Sequence, residues 1–205
     1  MPTIENIVNQ ALDLIGYADH VGNIYEGSKA SVIALGAWGH TRDMLLMTAQ
    51  PTWAKKDIQL TLLKSAPNIV NGMANYLAPW DPTANPELPW LYQYAYPADC
   101  LLPLQIKLTP ILLPIWRPRA KPFRPAFDAI TQNHVILANV AAAILIYVAQ
   151  ILDPNDWYQD FTELMIQALA KKFETELGRP LPQRPQRPHQ PQQQAPADVG
   201  PDTAG

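Results

Sequence analysis

Apolar residues recur at helical spacing from the start of the chain. Ile4, Ile7, Val8, Ala11 and Ile15 fall on one face, Thr3 stands where a side-chain cap is wanted, and Gly16 can end the helix, so the spacing predicts a helix over about 3–16. A second helix is predicted over 28–49. It starts at Ser28, carries a stripe of Ala30, Ile33, Ala37, Trp38, Thr41, Leu45 and Thr48, and stops at Pro51. The two are expected to pair across the short segment 17–27, with Gly36 and Gly39 allowing close packing. The period then changes. Trp90, Tyr92, Tyr94 and Tyr96 occupy every other position, which puts four rings on one face of a strand. Residues 127–130, a Thr131-Gln132-Asn133 turn and residues 134–138 predict a hairpin, and residues 143–151 a further β-rich run. A last helix is predicted over 155–177, capped by Asp153 or Asn155 and ended by Gly178. Its stripe is Trp157, Phe161, Leu164, Met165, Ala168, Leu169, Phe173 and Leu177.

Proline sharpens this outline. The chain has 22 prolines in 205 residues, about twice the usual share of ~5 per cent, and thirteen of them lie between 51 and 125. Long helices are therefore confined to the first and third blocks. Residues 68–89 predict a long loop. Residues 101–115, apolar but interrupted by Pro103, Pro110 and Pro114, predict edge strands or extended chain. Residues 135–152 run 18 positions without a charge, a length that can span a bilayer. Basic residues are missing on the near flank, Asp153 and Asp156 follow at once, and β-branched residues with a central Asn139 favour two buried strands. The last 27 residues hold seven prolines and six glutamines with little to bury, so order there is not expected without a partner.

Charge and chemistry narrow the functional classes. A formal net charge of −3 excludes a polycation, so any nucleic-acid contact must be local. The segment 101–127 carries Lys107, Arg117, Arg119, Lys121 and Arg124 and no acid until Asp128. The segment 153–176 carries Asp153, Asp156, Asp160, Glu163, Glu174 and Glu176 against Lys171 and Lys172. Such separation suits contact between copies or a basic loop facing phosphate, and a solvated loop with a solvated helix face is the plainer alternative. The N-terminus MPTIENIV lacks a basic stretch before an apolar run, so no secretory signal is expected, and the lone Cys100 fits a reducing compartment. His20, His40, His134 and His189 share no short spacing, so no metal site is expected. Ser28, Ser31 and Ser65 sit in no nucleophile frame, and Gly27-Ser28-Lys29 lacks the upstream glycine of a phosphate loop. Cys100 fits a small buried hydrophobe at a strand end better than a thiol nucleophile. Glu26, Asp43 and Asp99 stay open as a carboxylate pair, because such a pair is defined in space; for Glu26 a cap or ion-pair role is the ordinary alternative.

Several blocks, in order, resemble one family. They are Ala11-Leu12-Asp13-Leu14-Ile15-Gly16; Ile24, Glu26 and Ser28; Thr41-Arg42-Asp43-Met44-Leu45-Leu46 with Trp53-Ala54; and Tyr94-Ala95-Tyr96-Pro97-Ala98-Asp99-Cys100-Leu101. Ile136-Leu137-Ala138-Asn139 with Ile146-Tyr147-Val148, and Asp153-Pro154 with Phe161 and Ala168-Leu169-Ala170, complete the set. Together they resemble the head-to-tail adaptor, or tail tubular protein A, family of short-tailed phages, over about residues 4–178. The chain differs from that pattern in its Pro/Gln-rich stretch after Arg179 and in Leu102, where the family tends to place a basic residue.

The resemblance implies a virion structural protein with no catalysis and no cofactor. It implies a homo-oligomeric ring, usually of twelve, between a portal protein and a tail nozzle protein, with transient non-specific DNA contact, no membrane insertion, and a location at the virion's head-tail junction after assembly in the host cytoplasm. The expected fold is α+β: an N-terminal helix pair and a C-terminal helix forming a bundle, with an antiparallel β element and long Pro-rich loops between. It divides into an adaptor domain, 1–178, with β-rich residues 88–151, and a disordered Pro/Gln-rich tail, 179–205. The basic set Lys107, Arg117, Arg119, Lys121 and Arg124 is expected to face DNA or a neighbouring subunit, and Asp153, Asp156, Asp160 and Glu163 to form an acidic inter-subunit face. Two other classes stay in view: a tail-associated peptidoglycan-cleaving enzyme using paired carboxylates, and a Pro-rich module in which 179–205 recruits a partner.

Overall fold

The computed structural model describes residues 2–67, 79–108 and 121–178, and these form an α+β fold. Helix α1 (Ile4–Leu14) starts where the Thr3 hydroxyl accepts from the Asn6 amide at 3.2 Å. It ends at Gly16, whose φ of +67° lets the amides of Gly16 and Tyr17 turn back onto the carbonyls of Asp13 and Leu12. Helix α2 (Lys29–Ala49) is capped by Ser28, which accepts from the Ser31 amide, and stops at Gln50 just before Pro51.

The buried face of α2 is Ala30, Ser31, Ala34, Trp38, Thr41, Arg42 and Leu46, rotated from the expected stripe. Ile33, Ala37 and Leu45 are partly buried and Thr48 is exposed. Apolar residues lie all round this helix, so spacing alone does not choose its face. Gly36 and Gly39 do not serve close packing within the chain, since a Cβ on either would meet nothing within 4 Å.

Helix α3 (Gln159–Leu177) begins later than expected. Asp153 caps a separate single turn, Pro154–Asp156, and Tyr158 precedes α3 without a side-chain cap. The expected pairing of α1 with α2 is replaced by one in which α3 packs against both. Its inward residues Phe161, Met165, Leu169 and Phe173 are buried, whereas Leu164 faces outward. Five rings tie the cluster together: Trp38 stacks on Trp157 at 5.7 Å, Trp157 meets Phe161 edge-on at 5.1 Å, Phe161 meets Trp53 at 5.3 Å, and Trp53 stacks on Tyr158 at 5.7 Å.

The strands form two antiparallel sheets. The first has the order β1 (Lys55–Gln59), β7 (Ala143–Ala149), β4 (Cys100–Leu108). The second has the order β2 (Leu62–Ser65), β3 (Tyr92–Ala95), β6 (Asn133–Ala138), β5 (Phe123–Asp128). They are joined on both sides. β1 runs into β2 through Leu60 and Thr61, whose amide and carbonyl bond to Ala143 and Ala95. Opposite, the Lys121 amide donates to the Ile106 carbonyl, linking β4 to the chain entering β5. The pairing thus closes into a barrel-like ring around Tyr94, Ile106, Ile136, Leu145 and Tyr147.

On β7, Ala143, Leu145, Tyr147 and Ala149 point into this ring, while Val148 points out to the helices beside Leu101, Leu102 and Leu104. The helices therefore dock on the outer face of β4 and β7.

Several expectations change in detail. The β structure begins at Lys55, well before residue 88, and β1 is exposed at every position. The aromatic strand covers only Tyr92–Ala95, so Trp90 and Tyr96 lie outside it, although Tyr92 and Tyr94 share a face at 6.2 Å. β4 is an edge strand whose register with β7 shifts between Pro103 and Gln105, where the proline cannot donate. The uncharged run 135–152 divides between β6 and β7, and among the described residues no helix is long and apolar enough to cross a membrane. Residues 79–89 form turns, and the expected loop's remainder, 68–78, lies outside the described residues, as does the tail 179–205.

Candidate functional site

The three candidate carboxylates are each held by local partners. Glu26 accepts from the amides of Gly22 (2.9 Å) and Asn23 (3.1 Å) and from the Ser28 hydroxyl (2.6 Å), which stitches the loop entering α2. The Ser28 bond, then the two amides, keep its carboxyl below the usual range. Asp43 accepts from Arg42 Nε at 2.8 Å and from Gln150 Nε2 at 2.8 Å, tying α2 to the end of β7. Asp99 accepts from Lys56 Nζ at 2.7 Å and Tyr147 Oη at 2.8 Å. Burial by itself would raise Asp99, but the hydrogen bonds from Lys56 and Tyr147 and the Lys56 charge outweigh it and leave the carboxyl lowered.

Gln150 links the last two, because its backbone amide donates to the Asp99 carbonyl at 2.7 Å. A general acid for glycoside cleavage needs a raised pKa, and Asp99 is shifted the other way. Cys100, half-buried at the start of β4, has its thiol pushed up chiefly by burial and also by Asp99, against a hydrogen bond from Tyr96. That is the opposite of an activated nucleophile.

The charged segments are partly neutralised within the chain. Lys107 pairs with Asp57 of β1 at 3.1 Å, and Arg124 of β5 pairs with Glu87. Lys121 sits at the bridge to Ile106, and Arg117 and Arg119 lie outside the described residues. On the acidic side, Asp153 accepts from the Asn155 amide and side chain, Asp160 from the Phe161 amide, and Glu163 from Gln159. With the exposed Asp156 they line the approach to α3, where the helix dipole favours negative charge. Among the described residues none of the four makes an ion pair.

One concave polar arrangement was not foreseen from sequence. Lys64 of β2 and Asp128 at the end of β5 form an ion pair at 3.0 Å, with side chains 11% and 8% exposed. Gln93 of β3 donates to the same carboxylate at 2.7 Å, the Ile130 amide donates at 2.9 Å, and Lys64 also donates to the Pro82 carbonyl at 3.3 Å. The Lys64 ammonium, followed by Gln93 and the Ile130 amide, holds Asp128 well below the ordinary carboxylate range against the opposing effect of burial.

This pair floors a cleft of about 420 Å³ between the 79–90 turns and the β5–β6 hairpin. Leu88, Phe127 and Ile130 stand at its rim, 49%, 58% and 56% exposed. The only hint in the sequence is a glutamine between two tyrosines in an otherwise apolar strand. Among the described residues, no group of histidine, cysteine and acidic side chains could hold a metal ion. No family model matches the chain, and no curated protein does either.

Proposed function

We propose that the chain is a subunit of a phage head-to-tail adaptor ring, a virion structural protein that joins a portal to a tail nozzle and surrounds the passing DNA. The observation that carries this reading is the run of six sequence blocks, in register over about residues 4–178, that resemble the adaptor family. Two features of the subunit support it. Glu26, Asp43 and Asp99 are each committed to local donors, which suits structural carboxylates better than an acid/base pair. And α2 leaves Val32, Leu35 and Met44 exposed, at 61%, 48% and 45%, opposite a face that is already buried. Exposed apolar residues on a helix whose other face is already buried suit contact with another protein surface.

The test is negative-stain imaging of the purified full chain, alone and with an isolated portal ring. The expected result is a ring of the portal's axis, added as a distinct layer. Failure to form a ring alone and failure to bind the portal would overturn the reading. Release of cell-wall fragments that is lost in Asp99→Asn would favour the enzyme instead.

A further inference from the structure

The cleft above the Lys64–Asp128 pair is an exposed apolar concavity with a polar floor, and the chain carries a segment whose pattern fits it. Pro182, Pro185, Pro188 and Pro191 recur every third residue, and Arg184 and Arg187 repeat with the same period one position ahead of a proline. A polyproline II helix has three residues per turn, so in that conformation the four prolines share one edge and the two arginines another.

The walls of the cleft suit such a ligand. Trp80, Pro86, Leu88, Phe127 and Ile130 supply flat and apolar surface, and Glu87 on the rim supplies an exposed carboxylate. Grooves lined by aromatic and proline side chains take up polyproline segments because little entropy remains to be lost, and an acidic rim orients an arginine-bearing one. We propose that this cleft is a docking site for the C-terminal segment, residues 179–192, of a second copy of this chain. Gly178 ends α3, which packs on α1 and α2, whereas the cleft lies on the other sheet; Pro182 follows Gly178 by only four positions, on the order of 12 Å at ~3.1 Å per residue, so the segment that docks is that of a second copy. Arg184 or Arg187 exchanges with Arg124 for the Glu87 carboxylate. The proposal goes beyond the adaptor reading and does not require it.

The receptor for the test is the full chain carrying P182A, P185A, P188A and P191A, which removes competition from the tails of other copies. The probe is a fluorescently labelled peptide with the unaltered sequence of residues 179–192, followed by anisotropy at low salt. Saturable binding is expected, weakened about tenfold or more by Phe127→Ala and by Glu87→Lys in the receptor. Both residues are exposed, and a cooperative thermal melt within a few degrees of the parent receptor establishes that the two variants fold, since loss of the Glu87–Arg124 pair lowers melting only slightly. A peptide with the four prolines replaced by alanine should not bind. Absence of saturable binding up to about 1 mM, which is only ~4 kcal/mol of affinity, overturns the proposal. So does equal affinity for the Phe127→Ala receptor, or equal binding of the proline-free peptide. The titration needs no ring, so its failure leaves the adaptor reading standing and the reverse also holds.

Discussion

Breaking the Lys64–Asp128 pair should be among the most damaging single changes outside the apolar core. Asp128→Asn keeps the shape of the side chain but leaves the Lys64 ammonium, 11% exposed, without a counter-charge and with neutral acceptors alone, such as the Pro82 carbonyl at 3.3 Å. Lys64→Met leaves the carboxylate with Gln93 and the Ile130 amide. Removing one partner of a buried pair costs about 3–5 kcal/mol, and because water reaches this pair from the cleft the lower end, ~3 kcal/mol, is expected. Against a total stability of ~5–15 kcal/mol that is a large share.

Urea unfolding at pH 7 measures it. The double variant Lys64→Met with Asp128→Leu removes both charges together and should lie within about 1 kcal/mol of the unaltered protein. Single variants costing under ~1 kcal/mol, or a double variant as destabilised as their sum, would refute the reasoning. The pH dependence has a definite sign. Asp128 is lowered in the folded state, so its contribution is complete above the unfolded value of about 4 and is lost as pH falls from there toward the folded value. Asp128→Asn should therefore flatten the acid limb of the stability curve.

Phe161 is 2% exposed and touches both Trp53 and Trp157, so Phe161→Ala should cost about 3–5 kcal/mol in the same unfolding experiment. Gly36→Ala and Gly39→Ala meet open space on α2 and should each raise stability by up to about 1 kcal/mol, visible as a higher melting temperature; a loss would mean that the glycines are packed after all. Tyr147→Phe removes the hydroxyl that donates to Asp99. It should cost about 1 kcal/mol and move the Asp99 titration upward, as followed by carboxyl-carbon NMR.

What the sequence makes legible here is what local chemistry decides. Thr3, Gly16, Ser28 and Gly178 mark helix ends because capping is settled within a few residues, and all four do so in the structure. The hairpin of β5 and β6 also follows from contiguous residues, although its turn falls at 129–132 and its first arm is Phe123–Asp128, not the expected 127–130, so Ala129 and Ile130 lie in the turn. The face of α2 does not follow from contiguous residues, because a helix with apolar residues all round is oriented by its partner: Trp38 turns inward onto Trp157, 119 positions further along. β1 reads as polar chain because every side chain on it is exposed, and its place is fixed by backbone pairing with β7. The ion pairs are further still from local rules. Lys56–Asp99, Lys107–Asp57 and Lys64–Asp128 join residues 43, 50 and 64 positions apart, so no spacing announces them.

Those long-range pairs change what charge segregation can do between copies. Counted along the sequence, 101–127 offers five cations to an acidic neighbour. In the folded subunit Lys107 and Arg124 are already occupied by Asp57 and Glu87, while Asp153, Asp156, Asp160 and Glu163 stand without cationic partners among the described residues. If the subunits of the proposed ring meet through these charges, Lys121, which makes no ion pair among the described residues, and Arg117 and Arg119, which lie outside them, are the cations to test. Reversing Arg117, Arg119 and Lys121 together should then impair assembly on a portal ring without lowering the melting temperature of the free chain. Reversing Lys107 and Arg124 should do the opposite, lowering melting slightly, since each exposed pair is worth under about 1 kcal/mol, and leaving assembly intact. Sedimentation of mixtures with the portal, beside melting curves of the free variants, separates the two sets. Assembly that survives the triple reversal, or that fails only when Lys107 and Arg124 are reversed, would show that the acidic approach to α3 is merely a solvated surface.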